Sequence, residues 1–459
     1  VRRHLRIGLA PEAAGVKAFL DRAFAVSACG STIAAELRGG ATTFATMAYI
    51  VVVNASLLSQ AGMPFEAVVF ATCAASAIGT VLMAWWANYP FALAPGMGMN
   101  AYFAFSVVPA VAAALGPDDA ERAWRVGLGL VAWSGAFFLL ATWLEVRSRV
   151  MRGIPASLKL AVSAGIGLFI AFIGLQSAGI VVADPVTLVK LGDVRSPAVV
   201  VAIVGFLVTG ALWARKIPGA LLIGIVVTTV LAVLLGHAAA PTRWLALPSV
   251  TPTFLQWDLI GALDPRFLDI LVALLFVDFF DTMGTLVGVG VQGGFMDEHG
   301  HLPRDGKALS ADATATLAGA ALGTSPVTTY IESAAGIAAG ARTGLANMVV
   351  VTGFCAAMFF APSLGAVPPF ATAPALLIVG ALMASGLSRL PGDDHAESLA
   401  AFVTTLAIPV TFSISDGMAM GVATYIGTKA LGGRAREISP IMWGLGAVFL
   451  LRYVLLPVD

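Results

Sequence analysis

The sequence predicts an all-α polytopic membrane protein of about fourteen transmembrane segments in two inverted repeats of seven. Three observations predict it. There are too few charges to cover a water-soluble surface. Apolar stretches of membrane-crossing length fill most of the chain, with basic loops recurring on one side. A short segment opened by proline and rich in glycine occurs once in each half.

Of the 459 residues, 59% are hydrophobic and 11% are charged, against roughly 45–50% and about 25% in a soluble domain. The 26 basic and 26 acidic residues cancel, so there is no electropositive footprint of a nucleic-acid binder. Cys29, Cys73 and Cys355 are far apart and form no CxxC pair. They read as free thiols, and neither a metal site nor a cofactor is expected.

Residues 1–40 read as an amphipathic arm. Arg2, Arg3, Arg6, Glu12, Lys17, Asp21, Arg22, Glu36 and Arg38 interrupt any apolar run, which argues against a cleavable signal. A span needs roughly 20 mainly apolar residues. Candidates lie near 41–60, 66–87, 97–114, 124–144, 157–180, 196–214, 217–236, 266–290, 308–322, 330–340, 344–361, 369–387, 397–413 and 416–431. The stretch 439–456, with Arg452 near its end, is either a further span or an interfacial segment.

Lysine and arginine accumulate in cytoplasmic loops. The N-terminal arm, the loop with Arg147, Arg149, Arg152 and Lys159, the turn Arg215-Lys216, and Lys429, Arg434 and Arg436 all share one side if the N-terminus is cytoplasmic. Asp118, Asp119 and Glu121 then fall opposite. Seven spans per half would invert the second half, the plan of many secondary transporters. The stretch 217–230 resembles 414–427, with Gly224 over Gly421. The interrupted segments 90–105, PFALAPGMGMNAYFAF, and 326–340, PVTTYIESAAGIAAG, occupy matching places. Such pairs point to a binding site at the bilayer midplane, although kinked helices in a glycine-rich chain would also produce them.

Ionisable residues inside a span cost about 2.5–3.5 kcal/mol on insertion scales and are mostly functional. Here they are acidic: Asp278, Asp281, Asp312, Glu332 and Asp416, with no lysine or arginine in the middle of a span. Such carboxylates must be protonated, bind a cation or hydrogen-bond a ligand. Asp278 and Asp281 lie three apart on one helix face. Asp281, with Thr285 one turn on, is favoured as a ligand contact, and Asp278 as a structural or proton-coupling group.

Glu332 follows a β-branched run at 327–329 that suits an extended piece, with a helix starting near Tyr330. It is either a ligand contact or a plain helix-start acid. A carboxylate there matches the ring N–H donors of a purine. Tyr330 could stack on a base or serve as a core aromatic. Asn100 could read a heterocycle edge or cap a half-helix. Asp312 is expected to tie the ninth span to the binding region by hydrogen bonds, Asp416 to cap a helix starting at 416–417, and Asn54 to satisfy backbone near the site.

Five stretches resemble the hypoxanthine–guanine–adenine permeases of the nucleobase–cation symporter (xanthine/uracil permease) superfamily. They are ATTFATMAYIVVVNASLLSQAGMP at 41–64, APGMGMNAYFAF at 94–105, FVDFFDTMGTLVG at 276–288, ALSADATATLAGAALGTSPVTTYIESAAG at 308–336 and SISDGMAMG at 413–421. The resemblance implies a core domain at 41–145 and 265–361, a gate domain at 155–236 and 368–432, and a terminal segment, 438–459, outside both. It implies a short strand and half-helix in the third and tenth segments, and substrate ligands at Asp281, Glu332 and Asn100. It also implies purine transport with a proton, in preference to sodium, and a homodimer in the cytoplasmic membrane.

Two other classes compete. An anion transporter or channel on the same plan would be expected to expose helix N-termini and basic groups at its site rather than carboxylates. An intramembrane aspartyl enzyme would need two carboxyls sharing a proton, and no HExxH or GxSxG signature accompanies the acids here.

Overall fold

The computed structural model describes residues 11–144, 153–247, 249, 251–298, 301–389 and 394–455. Arg2, Arg3, Arg6, Arg147, Arg149 and Arg152 of the orientation argument lie outside the described residues. The elements in chain order are α1 (Pro11–Phe24), α2 (Ile33–Met47), α3 (Ile50–Gln60), α4 (Phe65–Leu82), β1 (Leu93–Pro95), α5 (Met97–Tyr102), α6 (Val108–Leu115), α7 (Ala123–Trp143) and α8 (Ala156–Ser177). A hairpin, β2 (Val181–Asp184) and β3 (Leu188–Leu191), follows. Then come α9 (Pro197–Ala214), α10 (Ala220–Leu234), α11 (Leu268–Gly293), α12 (Asp305–Leu322), β4 (Val327–Thr329), α13 (Ser333–Ala338), α14 (Leu345–Ala357), α15 (Ala361–Leu364), α16 (Pro369–Ala384), α17 (His395–Thr411), α18 (Ile414–Leu431) and α19 (Pro440–Leu455).

Among the described residues nine helical stretches are long and apolar enough to cross a bilayer. The protein is therefore a mostly helical, multi-pass membrane protein. Most boundaries fall within three residues of the sequence reading. The first span is an exception, because its helix reaches back to Ile33. Glu36 looked like part of a solvated arm. It is buried instead, and its carboxylate accepts the backbone N–H groups of Arg342 (2.9 Å) and Thr343 (3.2 Å). The α helix of the tenth segment is shorter than expected and begins at Ser333 rather than Tyr330. The stretch 439–456 contains a helix, α19, whose Met442 and Phe449 are buried against α18 and α11.

The hairpin β2–β3 was not anticipated. The Asp184 carboxylate accepts N–H groups from Val186 and Thr187 and pairs with Lys190 at 3.0 Å, a turn chemistry suited to aspartate. These donors lower its carboxyl to about 2.

Two sets of helices pack mainly among themselves. One comprises α2, α3, α4, α7, α11, α12, α13 and α14, and the other α8, α9, α10, α16, α17 and α18. The weak repeat at Gly224 and Gly421 has a packing counterpart. A Cβ on Gly224 would sit 2.0 Å from the Thr209 hydroxyl, and one on Gly421 would sit 1.8 Å from the Thr404 hydroxyl. Each glycine thus receives a threonine of the preceding helix. In the first set, a Cβ on Gly336 of α13 would lie 2.5 Å from the Gly39 carbonyl oxygen of α2, so those two backbones are nearly in contact.

Candidate functional site

The two interrupted segments meet. β1 and β4 run antiparallel with Leu93 opposite Thr329, Ala94 opposite Thr328 and Pro95 opposite Val327. The ladder is closed by the Gly96 N–H donating to the Pro326 carbonyl (3.0 Å) and the Tyr330 N–H donating to that of Ala92 (2.9 Å). Both strands are buried. At membrane depth backbone groups must be satisfied within the protein, and here each broken helix satisfies the other.

Acids of α11, α12 and the start of α13 lie near this ladder. Asp281 is half-buried, with a carboxylate oxygen 3.5 Å from where a Cβ of Gly96 would stand. Asp278 is wholly buried; Thr316 donates to one of its oxygens at 3.4 Å, and the other has no hydrogen-bond partner among the described residues. The Thr282 hydroxyl lies 2.7 Å from Asp312 Oδ2 and 2.8 Å from the Thr328 hydroxyl, while Thr329 donates to Asp312 Oδ1 at 2.9 Å. Asp312 thereby links α11, α12 and β4. Glu332 lies just past β4 and accepts from the Tyr49 phenol at 2.7 Å. Among the described residues no cationic side chain is paired with these four carboxylates.

The remaining candidates fall into place around the ladder or away from it. Thr285 is half-buried one turn beyond Asp281. Asn100 accepts from Ser325 at 2.6 Å, and its amide approaches the Pro95 carbonyl at 3.5 Å. It does not cap: Gly96 holds the N-cap position of α5, and Asn100 lies one turn inside. Asn54 donates to Thr72 (2.7 Å) and Thr324 (2.8 Å), side-chain partners rather than backbone ones. Tyr330 is buried and donates its hydroxyl to the Pro95 carbonyl at 2.6 Å. Asp416 lies on α18 with the Tyr453 hydroxyl at 2.6 Å. It is not the cap of its helix, because Ser413 holds that position and accepts the Asp416 N–H.

Sequence reading missed Tyr49, Ser325 and the threonine hydroxyls that fill the spaces between the acids. It also missed a charged cluster at Lys429. That ammonium is buried and lies 3.2 Å from Asp394, 3.4 Å from Glu397 and 3.1 Å from Glu437, while Arg434 pairs with Asp394 and Glu437. Lys429 signalled only a basic loop in the sequence, since its three acids lie at 394, 397 and 437, on different elements from its own.

Residues 34–420 match the family model described as the permease family. This chain belongs to that family. The permease is 47% identical over 439 residues to a putative permease of Methanocaldococcus jannaschii, covering 95% of this chain and 99% of the relative. It is 40% identical to the adenine permease AdeQ of Escherichia coli (95% and 96% covered) and 42% identical to the guanine/hypoxanthine permease PbuG of Bacillus subtilis (93% and 98%). These relatives are transporters, not enzymes, which removes the aspartyl-enzyme reading. Among solved structures, the permease resembles the transmembrane domain of a cyanobacterial bicarbonate transporter, BicA, with TM-score 0.63 and 16% identity over 84% of this chain and 97% of that one. It also resembles SLC26A9, with TM-score 0.64 and 12% identity over 94% and 73%. At such identities the likeness concerns the fold alone.

Proposed function

We propose that this permease is a secondary active transporter carrying the purine nucleobases adenine, guanine and hypoxanthine across the cytoplasmic membrane, coupled to a cation that is a proton rather than sodium. The observation that carries the reading is that Asp281 lies beside Gly96 at the end of β1 and Glu332 just past β4, with no cationic side chain among the described residues paired with either. Asp281 and Glu332 accept the ring and exocyclic N–H groups of the base, with Thr285 alongside. A carboxylate pair that accepts from N–H donors suits a neutral heterocycle. It does not suit an anion, so the fold neighbours' cargo does not transfer here. Asn100 and Tyr330 hold the Pro95 carbonyl at the end of β1, Asn54 ties the first span to Thr72 and Thr324, and Asp278 and Asp312 serve the coupling proton.

In this reading fourteen segments form two inverted halves, and the N-terminus is cytoplasmic. The core at 41–145 and 265–361 rocks against the gate at 155–236 and 368–432, and the gate forms a homodimer. The two sets of helices that pack mainly among themselves, and the matched Gly224–Thr209 and Gly421–Thr404 contacts, support that division.

The test is uptake of labelled hypoxanthine by cells lacking other purine permeases, in competition with adenine, guanine, xanthine and uracil. Purines of the adenine, guanine and hypoxanthine set will compete, a protonophore will stop accumulation, and Asp281→Asn will abolish uptake while inserting normally. Normal uptake by Asp281→Asn removes that residue from the mechanism. Accumulation that survives the protonophore but needs sodium reassigns the ion.

A further inference from the structure

Tyr49 has no role in the reading above. It is 1% exposed and sits in the break between α2, which ends at Met47, and α3, which begins at Ile50. Its phenol donates to Oε1 of Glu332 at 2.7 Å across 283 residues of sequence. No other side chain of the described residues donates to Glu332. The contact depends on the near-touching backbones of α2 and α13 at Gly39 and Gly336, since any side chain at Gly336 would push the two helices apart. The break at Tyr49, the small residues at the crossing and the carboxylate one turn before Gly336 thus form one arrangement.

A carboxylate has two oxygens and about four acceptor positions. With Oε1 held by a phenol, the group cannot rotate freely, and with no other side chain of the described residues donating to it, Oε2 keeps an acceptor position for a further donor. We propose that Tyr49 is a positioning residue for substrate: its hydroxyl fixes the Glu332 carboxylate so that the second oxygen faces a ring N–H of the bound base. This rests on the assignment of Glu332 as a substrate contact. Tyr49 then governs affinity and selectivity without touching the base, and it adds a substrate-positioning role to the first span, which also carries Asn54. The bland alternative is that a buried tyrosine has simply found an acceptor for its hydroxyl, and the two predict different couplings.

The test uses the full chain purified in detergent. Binding of hypoxanthine and adenine is measured calorimetrically for the parent, Tyr49→Phe, Glu332→Gln and the double variant. Tyr49→Phe keeps the ring and its packing. It is expected to weaken binding about 10- to 100-fold, the usual effect of losing a hydrogen bond to a charged group, and the double variant is expected to bind no more weakly than Glu332→Gln alone. Parent-like binding by Tyr49→Phe with loss in Glu332→Gln overturns the positioning role and leaves the substrate reading standing. Additive losses overturn it as well, because Tyr49 would then act independently of Glu332. Parent-like binding by Glu332→Gln sinks the substrate reading itself. If Glu332→Gln binds below detection, uptake kinetics of Tyr49→Phe decide: a raised KM at parental maximal rate supports the proposal, and a lowered maximal rate at parental KM refutes it.

Discussion

Gly336→Ala tests the closest helix approach near the site. The added methyl would lie 2.0 Å from the Thr43 hydroxyl and 2.5 Å from the Gly39 carbonyl oxygen, where unstrained contact needs about 3.5 Å. Rotation of Thr43 relieves the first contact. The second is backbone, so α13 must retreat from α2 by about 1 Å. Overpacking of this kind costs about 1–3 kcal/mol. The same retreat stretches the Tyr49–Glu332 hydrogen bond from 2.7 Å to about 3.7 Å, beyond hydrogen-bonding range. The variant will therefore melt at a lower temperature in detergent, and its KM for purine uptake will rise about tenfold or more. Gly427→Ala is the control, since a Cβ there meets nothing within 4 Å, and its stability will change by no more than about 1 kcal/mol. Parental melting and parental uptake by Gly336→Ala would refute the close approach and the dependence of Glu332 on it.

The other predictions concern stability and the division of labour around the ladder. Lys429→Met leaves three carboxylates without their shared ammonium and will lower stability by about 1–3 kcal/mol, read by thermal melting. Arg434 holds the carboxyls of Asp394 and Glu437 below their ordinary range, that of Glu437 at about 2. Their contribution is thus complete above about pH 5 and is lost as the pH falls through the folded values. The melting temperature will be flat above about pH 5 and decline below it, and Arg434→Gln will blunt the decline. Asn54→Ala removes the hydrogen bonds to Thr72 and Thr324 and will cost about 1–3 kcal/mol in the same melting assay. Tyr330→Phe will cost about 0.5–1.5 kcal/mol through the lost bond to Pro95 and leave the uptake KM within about threefold. A large KM change at parental stability would instead make Tyr330 a substrate contact.

Much of the fold was legible because a bilayer imposes length and apolarity together, and most long apolar runs became helices near their expected bounds. The extended piece at 327–329 was legible from β-branching after Pro326. Its partner at 93–95 was expected only from the family resemblance, because Leu-Ala-Pro itself carries no strand signature and is extended by pairing with β4. Glu36 misled for a related reason. A charge near a helix start reads as solvated, and only the folded chain supplies the two N–H groups that let it be buried. The same holds at Asp416, where Ser413 took the capping role expected of the aspartate. At the site, the acids announced themselves by being out of place in an apolar run. Tyr49, Thr282 and Ser325 are ordinary residues in a span, and their significance lies in partners 283, 30 and 225 positions away.

The pairing of β1 with β4 also bears on how the chain is made. Leu93–Pro95 leaves the ribosome more than two hundred residues before the strand that completes it. At about 5–20 residues per second, that is a wait of roughly ten to fifty seconds. Throughout it the nascent first half carries bare amide and carbonyl groups that hydrocarbon cannot solvate. Those groups must therefore stay beside water or an insertion machine, and the first half cannot be released into lipid as a finished unit. Translation and assembly are tied together at this one short ladder.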